Sequence, residues 1–211
     1  MVLCYHAVSE TWNHRLSMSR GRLVEQVRLL RRLGALHVTF DDAFHNALET
    51  VVALCELGVP VTIFVCTGFA DRAGAPLLIP ELASEAPEDV EGLRTMTWGD
   101  LRDVVAAGAR IGSHTVSHPH LPSLRDDELA AELGASRSRV EHELGRPCRV
   151  LAYPFGEHDA RVREAARAAG YQSAYALRAR LGDDFARPRL DLYRRHTRFR
   201  TLLETASFAL S

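Results

Sequence analysis

Short apolar runs return along this chain after longer segments of helical period, and glycines stand at many of the joins. That alternation argues for βα units wound around a parallel sheet or barrel. Residues 2–5 read as an opening strand. Leu23, Val27, Leu30 and Leu33 recur at helical spacing and stop at Gly34, which predicts the first helix. Residues 36–40 predict a strand running straight into two aspartates, and 43–57 a helix closed by Gly58. Pro60 marks the restart before the β-branched run Val61-Thr62-Ile63-Phe64-Val65. The same reasoning predicts helices over 97–107, 123–144 and 159–169, and strands over 110–112, 150–153 and 173–176. Ser123, three residues before Asp126, imitates a capping box for the second of these helices. The order of elements suits a closed barrel and an open sheet equally.

With 211 residues the chain is long enough for a sizeable core, and one domain over 1–211 is expected. Between about 68 and 95 the periodicity fades into Gly, Pro, Ala and acidic residues, as a long loop or small insertion would. Lys and Arg (26) nearly cancel Asp and Glu (27), which removes the electrostatic reason to expect nucleic acid or an anionic membrane and leaves a neutral substrate as the better fit. Cys4, Cys55, Cys66 and Cys148 are far apart with no CxxC pair, so buried thiols are expected. There is no apolar run long enough to span a membrane as a helix and no leader pattern. As it stands the sequence reads as cytoplasmic, or as extracytoplasmic if a leader has been trimmed.

Three segments carry chemistry. Thr39-Phe40-Asp41-Asp42 ends an apolar strand, where adjacent carboxylates point to different targets, one at a metal and one at a water; the alternative is that Asp42 caps the next helix. His114-Thr115-Val116-Ser117-His118 leaves a strand between Gly112 and Pro119, with His120 nearby. Two imidazoles four residues apart lie on one face of a helical turn and reach one ion. Two His and one carboxylate leave positions open for water and substrate, as a catalytic site requires. Tyr153-Pro154-Phe155-Gly156 ends another strand with a fixed turn and flanking aromatics, either a groove wall for a sugar face or a turn among core aromatics.

In this order and separation, the three segments resemble the TFDD, H(S/T)xxH and YP(F/Y)G motifs of the polysaccharide deacetylases, the NodB-homology or carbohydrate esterase 4 family. Met96-Thr97-Trp98-Gly99-Asp100-Leu101, His118-Pro119-His120-Leu121 and Ala169-Gly170-Tyr171 are similar to the family's connecting sequence, and Tyr5-His6 and Arg187-Pro188-Arg189 to flanking features of one bacterial branch. The resemblance implies an α/β fold, a distorted (β/α) barrel with fewer than eight complete units. It implies Asp42, His114 and His118 as metal ligands, Asp41 as catalytic base, and Tyr153, Pro154, Phe155 and Gly156 as substrate contacts. The cofactor it implies is a divalent ion, zinc first, with cobalt and nickel as alternatives. The partner it implies is an acetylated carbohydrate that loses its N-acetyl group, with a backbone N–H near 153–155 aiding the ion at the developing oxyanion.

Several positions depart from the pattern. Ala43 follows the aspartates where the family usually has Gly, so a positive φ there would be strained. Ala152 replaces the arginine often found two residues before the motif proline, and Arg189 is the expected substitute for orienting Asp41. The late histidine that many members use as acid is absent, leaving His196 as the candidate. The stretch 33–36 is short enough to suggest that one βα piece is missing. Two other readings stand beside the leading one: an O-acetyl ester or non-sugar amide hydrolase, and a catalytically weakened carbohydrate-binding or scaffold protein.

Overall fold

A computed structural model describes residues 1–83, 90–177 and 182–193. The chain opens with β1 (Val2–Tyr5), the two-residue strands β2 (Ala7–Val8) and β3 (Ser17–Met18), and helix α1 (Arg20–Arg31). The Ser19 side chain caps α1 by accepting from the Arg22 N–H, and Leu23, Val27 and Leu30 give the helix its buried face. There follow β4 (His37–Phe40), α2 (Leu48–Glu56), β5 (Val61–Val65), the short helices α3 (Thr67–Asp71) and α4 (Pro80–Ala83), and α5 (Trp98–Ala106). Then come β6 (Arg110–Ser113), α6 (Asp126–Leu144), β7 (Val150–Ala152), α7 (Ala160–Ala168), β8 (Ser173–Ala176), β9 (Arg187–Pro188) and β10 (Leu190–Asp191).

The main sheet runs β10-β1-β4-β5-β6-β7-β8-β9, with every pair parallel. Its two edges, β9 and β10, are consecutive in sequence and separated by Arg189 alone. One extended run therefore pairs with β8 through its first half and with β1 through its second, and the sheet curls into a nearly closed barrel. Eight strands make seven staves, which matches the distorted barrel of fewer than eight units. The short 33–36 connection is accommodated without a gap, because β1 pairs directly with β4 through the register Val2↔His37 to Tyr5↔Phe40.

Two helix starts differ from the sequence reading. The helix expected from residue 43 begins as α2 at Leu48, after a 3-10 turn (His45–Ala47), because Asp42 and Ala43 both adopt positive φ (67° and 53°). Ser123 lies in a 3-10 turn (Leu121–Ser123) rather than at a capping position; Arg125 precedes α6 and its N–H is taken by the Glu128 carboxylate at 3.0 Å. The reciprocal box is found at α5 instead, where the Thr97 hydroxyl accepts from the Asp100 N–H and the Asp100 carboxylate accepts from the Thr97 N–H. The 68–95 stretch holds α3, α4 and a 3-10 turn (Val90–Leu93); Phe69, Leu77, Ile79, Leu82 and Leu93 pack there with Trp12 and Phe44 in a second apolar cluster. Among the described residues no helix is long and apolar enough to cross a membrane, and the four cysteines are free thiols.

Candidate metal centre and active site

In a parallel barrel every strand ends on the same face, and that face carries the site. His6 follows β1, Asp41 and Asp42 follow β4, His114 follows β6, Phe155 and Gly156 lie beyond β7, and Asp191 closes β10. All of them line one cavity of about 550 Å³, which the insertion borders through Ile79, Glu81 and Leu82. The backbone there is unusual. Of the six non-glycine residues with positive φ among those described, Asp42, Ala43, Thr115, His118 and Phe155 belong to these loops; Ala73 is the exception. Such residues each cost on the order of 1–3 kcal/mol and persist where surrounding structure holds them.

Asp42, His114 and His118 come together. Asp42 Oδ1 lies 3.6 Å from His114 Nε2 and 3.4 Å from His118 Nε2. Donors about 2.0–2.1 Å from a tetrahedral ion sit roughly 3.3 Å from one another, so the spacing fits a shared cation. Asp42 Oδ1 is buried without a hydrogen-bond partner, and Asp42 is not a helix cap. Burial and the neighbouring Asp41 charge push its carboxyl well above the usual carboxylate range, a cost that a cation would offset. Burial holds His114 at about 4 and His118 well below its ordinary value, so both imidazoles are neutral, as ligation needs. His114 Nδ1 sits 2.8 Å from the Ala152 carbonyl, which fixes that nitrogen as the donor and turns Nε2 toward Asp42. The two histidines do not share a helical turn. Residues 114–120 form an irregular loop, and positive φ at Thr115 (71°) and His118 (62°) swings the second ring back to the first, with centroids 4.9 Å apart.

Asp41 is gripped by Arg189. Nη1 donates to Oδ1 at 2.6 Å and Nη2 to Oδ2 at 2.7 Å, while Nη1 also reaches Thr39 Oγ1 at 3.1 Å. Burial alone would raise the Asp41 carboxyl, but the Arg189 charge and its hydrogen bonds outweigh burial and hold it well below the usual range. The guanidinium is buried beside the Phe64 and Tyr175 rings, 5.3 and 5.8 Å from their centroids. Cys4, His6 and Asp41 form a second group of close donor atoms, within 4.8 Å of one another. A cation does not fit there: both Asp41 oxygens are bonded to a guanidinium, and burial keeps the Cys4 thiol protonated, its Sγ 3.5 Å from Asp41 Oδ2.

A family model described as polysaccharide deacetylase matches residues 32–174. The chain belongs to the polysaccharide deacetylase family. Chitin deacetylase 1 of Cryptococcus neoformans is 38% identical over 99 residues, 45% of this chain and 21% of that protein. The chain spans less than half the length of the curated relatives it matches. Among solved structures, the Streptococcus pyogenes deacetylase PplD, in complex with acetate, superposes with a TM-score of 0.78 at 17% identity over 96% of each chain. IcaB from Ammonifex degensii does so at 0.75 and 22% identity, covering 100% of this chain and 97% of that one. These two likenesses show the fold.

Within this deacetylase-family barrel the YPFG segment divides. Phe155 and Gly156 line the cavity; Tyr153 and Pro154, expected at the substrate, are buried behind its wall, because the Tyr153 hydroxyl donates to the Phe185 carbonyl at 2.9 Å. Gly156 has φ 71°, and a Cβ there would meet Leu177 side-chain carbons at 2.9 Å, so the turn needs glycine. Phe155 stacks on His120 at 4.0 Å, and His120 bridges Glu81 and Glu157 at the mouth. His196 lies outside the described residues. His6, which the sequence marks as a flanking feature but gives no role, has a partly buried ring that lines the cavity with no hydrogen-bond partner at Nδ1. The available signal was its place directly after β1, the stave beside the aspartates.

Proposed function

We propose that the chain is a metal-dependent hydrolase that removes acetyl groups from N-acetylated amino sugars of a polysaccharide, oligosaccharide or glycoconjugate. The observation that carries this reading is the convergence of Asp42 Oδ1 with the two imidazole Nε2 atoms at 3.4 and 3.6 Å, with Asp41 as an ionised carboxylate alongside. Asp42, His114 and His118 would hold a divalent ion, zinc first, with cobalt and nickel as alternatives. When bound, such an ion activates a water and polarises the acetyl carbonyl.

Asp41 takes the proton of the attacking water, and Arg189 fixes the carboxylate so that its lone pairs face the cavity rather than rotate. The developing oxyanion needs a donor. The Tyr153 N–H is committed to the Tyr175 carbonyl and Pro154 has none, which leaves the Phe155 N–H, in the turn that lines the cavity. The leaving nitrogen needs a proton, and His6 supplies it. Burial depresses the His6 imidazole to about 4, so it is neutral before turnover; Asp41, protonated once the water has attacked, lies within 4.8 Å and recharges it through one intervening water. The proton thus travels from water to Asp41, to His6, to the departing amine.

Acetate release from acetylated chito-oligomers and from aryl acetates, with and without chelator, tests the reading. Chelator-sensitive release from the oligomers is expected. Release from aryl acetates alone favours ester hydrolysis, and no release with any of the three metals leaves a carbohydrate-binding barrel.

A further inference from the structure

The loop that carries both histidine ligands is held open at its tip by a carboxylate from another element. Glu132 stands on α6, flanked by buried Leu129, Leu133 and Ser136. Its Oε2 accepts from the Val116 N–H at 2.7 Å and the Ser117 N–H at 3.1 Å, and its Oε1 from the Ser117 hydroxyl at 2.6 Å. Other polar groups of the loop are paired as well, His118 Nδ1 being a buried exception. The Thr67 and Gly68 N–H groups donate to the Thr115 and Val116 carbonyls at 3.1 and 2.9 Å, the Thr115 hydroxyl accepts from the His118 N–H at 3.1 Å, and Ser113 Oγ accepts from the Thr115 N–H at 3.1 Å. α6 itself is fastened to the end of β6 by the 2.8 Å Ser113–Ser136 hydroxyl pair.

This arrangement opposes the intrinsic preference of the chain. Thr115 and His118 sit at positive φ, where a residue with a Cβ, and a β-branched one above all, is disfavoured. If either relaxes to the right-handed region, the His118 ring leaves Asp42. A charged acceptor taking three donors from the two residues between them makes the strained conformer the favoured one, because charge-assisted hydrogen bonds are roughly twice as strong as neutral ones. Two consecutive N–H groups converging on one oxygen form a small anion-binding nest, filled here by a side chain.

We infer that Glu132 is a positioning residue for the metal centre: it sets the His114–His118 loop before the ion arrives and so raises metal affinity without touching the ion. This rests on the reading of Asp42, His114 and His118 as ligands. Apo-protein is titrated with cobalt(II), following the visible d–d band and the dissociation constant, for wild type, E132Q and E132A; circular dichroism of the apo forms checks the fold. E132A is expected to bind cobalt about 10–100-fold more weakly, with a broadened band. E132Q keeps a neutral acceptor oxygen and is expected between the two, about 3–10-fold weaker than wild type, and it decides the matter if E132A does not fold. Wild-type protein that takes up no cobalt overturns the metal-site reading underneath. Wild type that binds cobalt beside folded variants of unchanged affinity and band overturns the inference alone.

Discussion

Arg189 holds both carboxylate oxygens of Asp41 across 148 residues of sequence, at 2.6 and 2.7 Å, in a buried two-pronged pair. The pair keeps the Asp41 carboxylate ionised in a place where burial would protonate it, as the proposed role of general base requires.

Substitution R189A leaves Asp41 buried without its counter-charge. The carboxyl rises, and since the base works only when deprotonated, the acid limb of the kcat/KM profile moves to higher pH. Turnover near neutrality is expected to fall about 10–100-fold and stability by about 3–5 kcal/mol. R189K restores charge but only one prong and is expected in between. Unchanged pH profiles in both variants would remove Arg189 from the machinery.

Replacing His6 with Asn separates proton delivery from metal binding. Turnover of an N-acetyl substrate is expected to drop about 10²–10³-fold, while an aryl acetate, whose phenolate leaves without help, loses less than about tenfold. Metal content, read by atomic emission, stays at the wild-type ratio. Equal losses on both substrates count against the proton path through His6.

Removing the ion with a chelator is expected to abolish acetate release and lower the melting temperature, and adding zinc or cobalt back to restore both. At 100 times the dissociation constant the ion stabilises the fold by about 2.7 kcal/mol. D42N, which retains the shape of Asp42 but not its charge, is expected to lose the metal-induced shift.

His37, at the start of β4, sits 2.9 Å from Thr62 Oγ1, and burial followed by the Arg110 charge lowers it from its usual 6.5 to about 4. The folded state therefore binds this proton less readily than the unfolded chain. Its contribution to stability is complete above pH 6.5 and is lost as the pH falls from 6.5 toward 4. Denaturant titrations of H37Q across that window are expected to show about 1–2 kcal/mol less acid loss than wild type, solvent screening of a half-buried ring being allowed for.

The alternation of strands and helices is legible because the two keep distinct periods and glycines close the helices, whereas closure into a barrel is implied only by the family resemblance. Leu23, Val27 and Leu30 read as one face and are one buried face. The loops were not legible in the same way. Asp42, Ala43, Thr115 and His118 take the left-handed conformation with no glycine to announce it, so local pattern starts the second helix too early and predicts a histidine turn that does not form. Arg189 could be found from the sequence because Ala152 leaves a guanidinium missing. His6 is marked only by its place after β1 and Glu132 not at all, since their roles depend on which staves and helices become neighbours, and local pattern does not encode that.

The stave that closes the barrel also carries Arg189 between its two halves, β9 and β10. Sealing the cylinder and arming its acid-base chemistry are therefore one event. A ribosome extrudes this segment after Asp41, Asp42, His114 and His118, so the Asp41 carboxylate gains its guanidinium partner only when the sheet joins edge to edge.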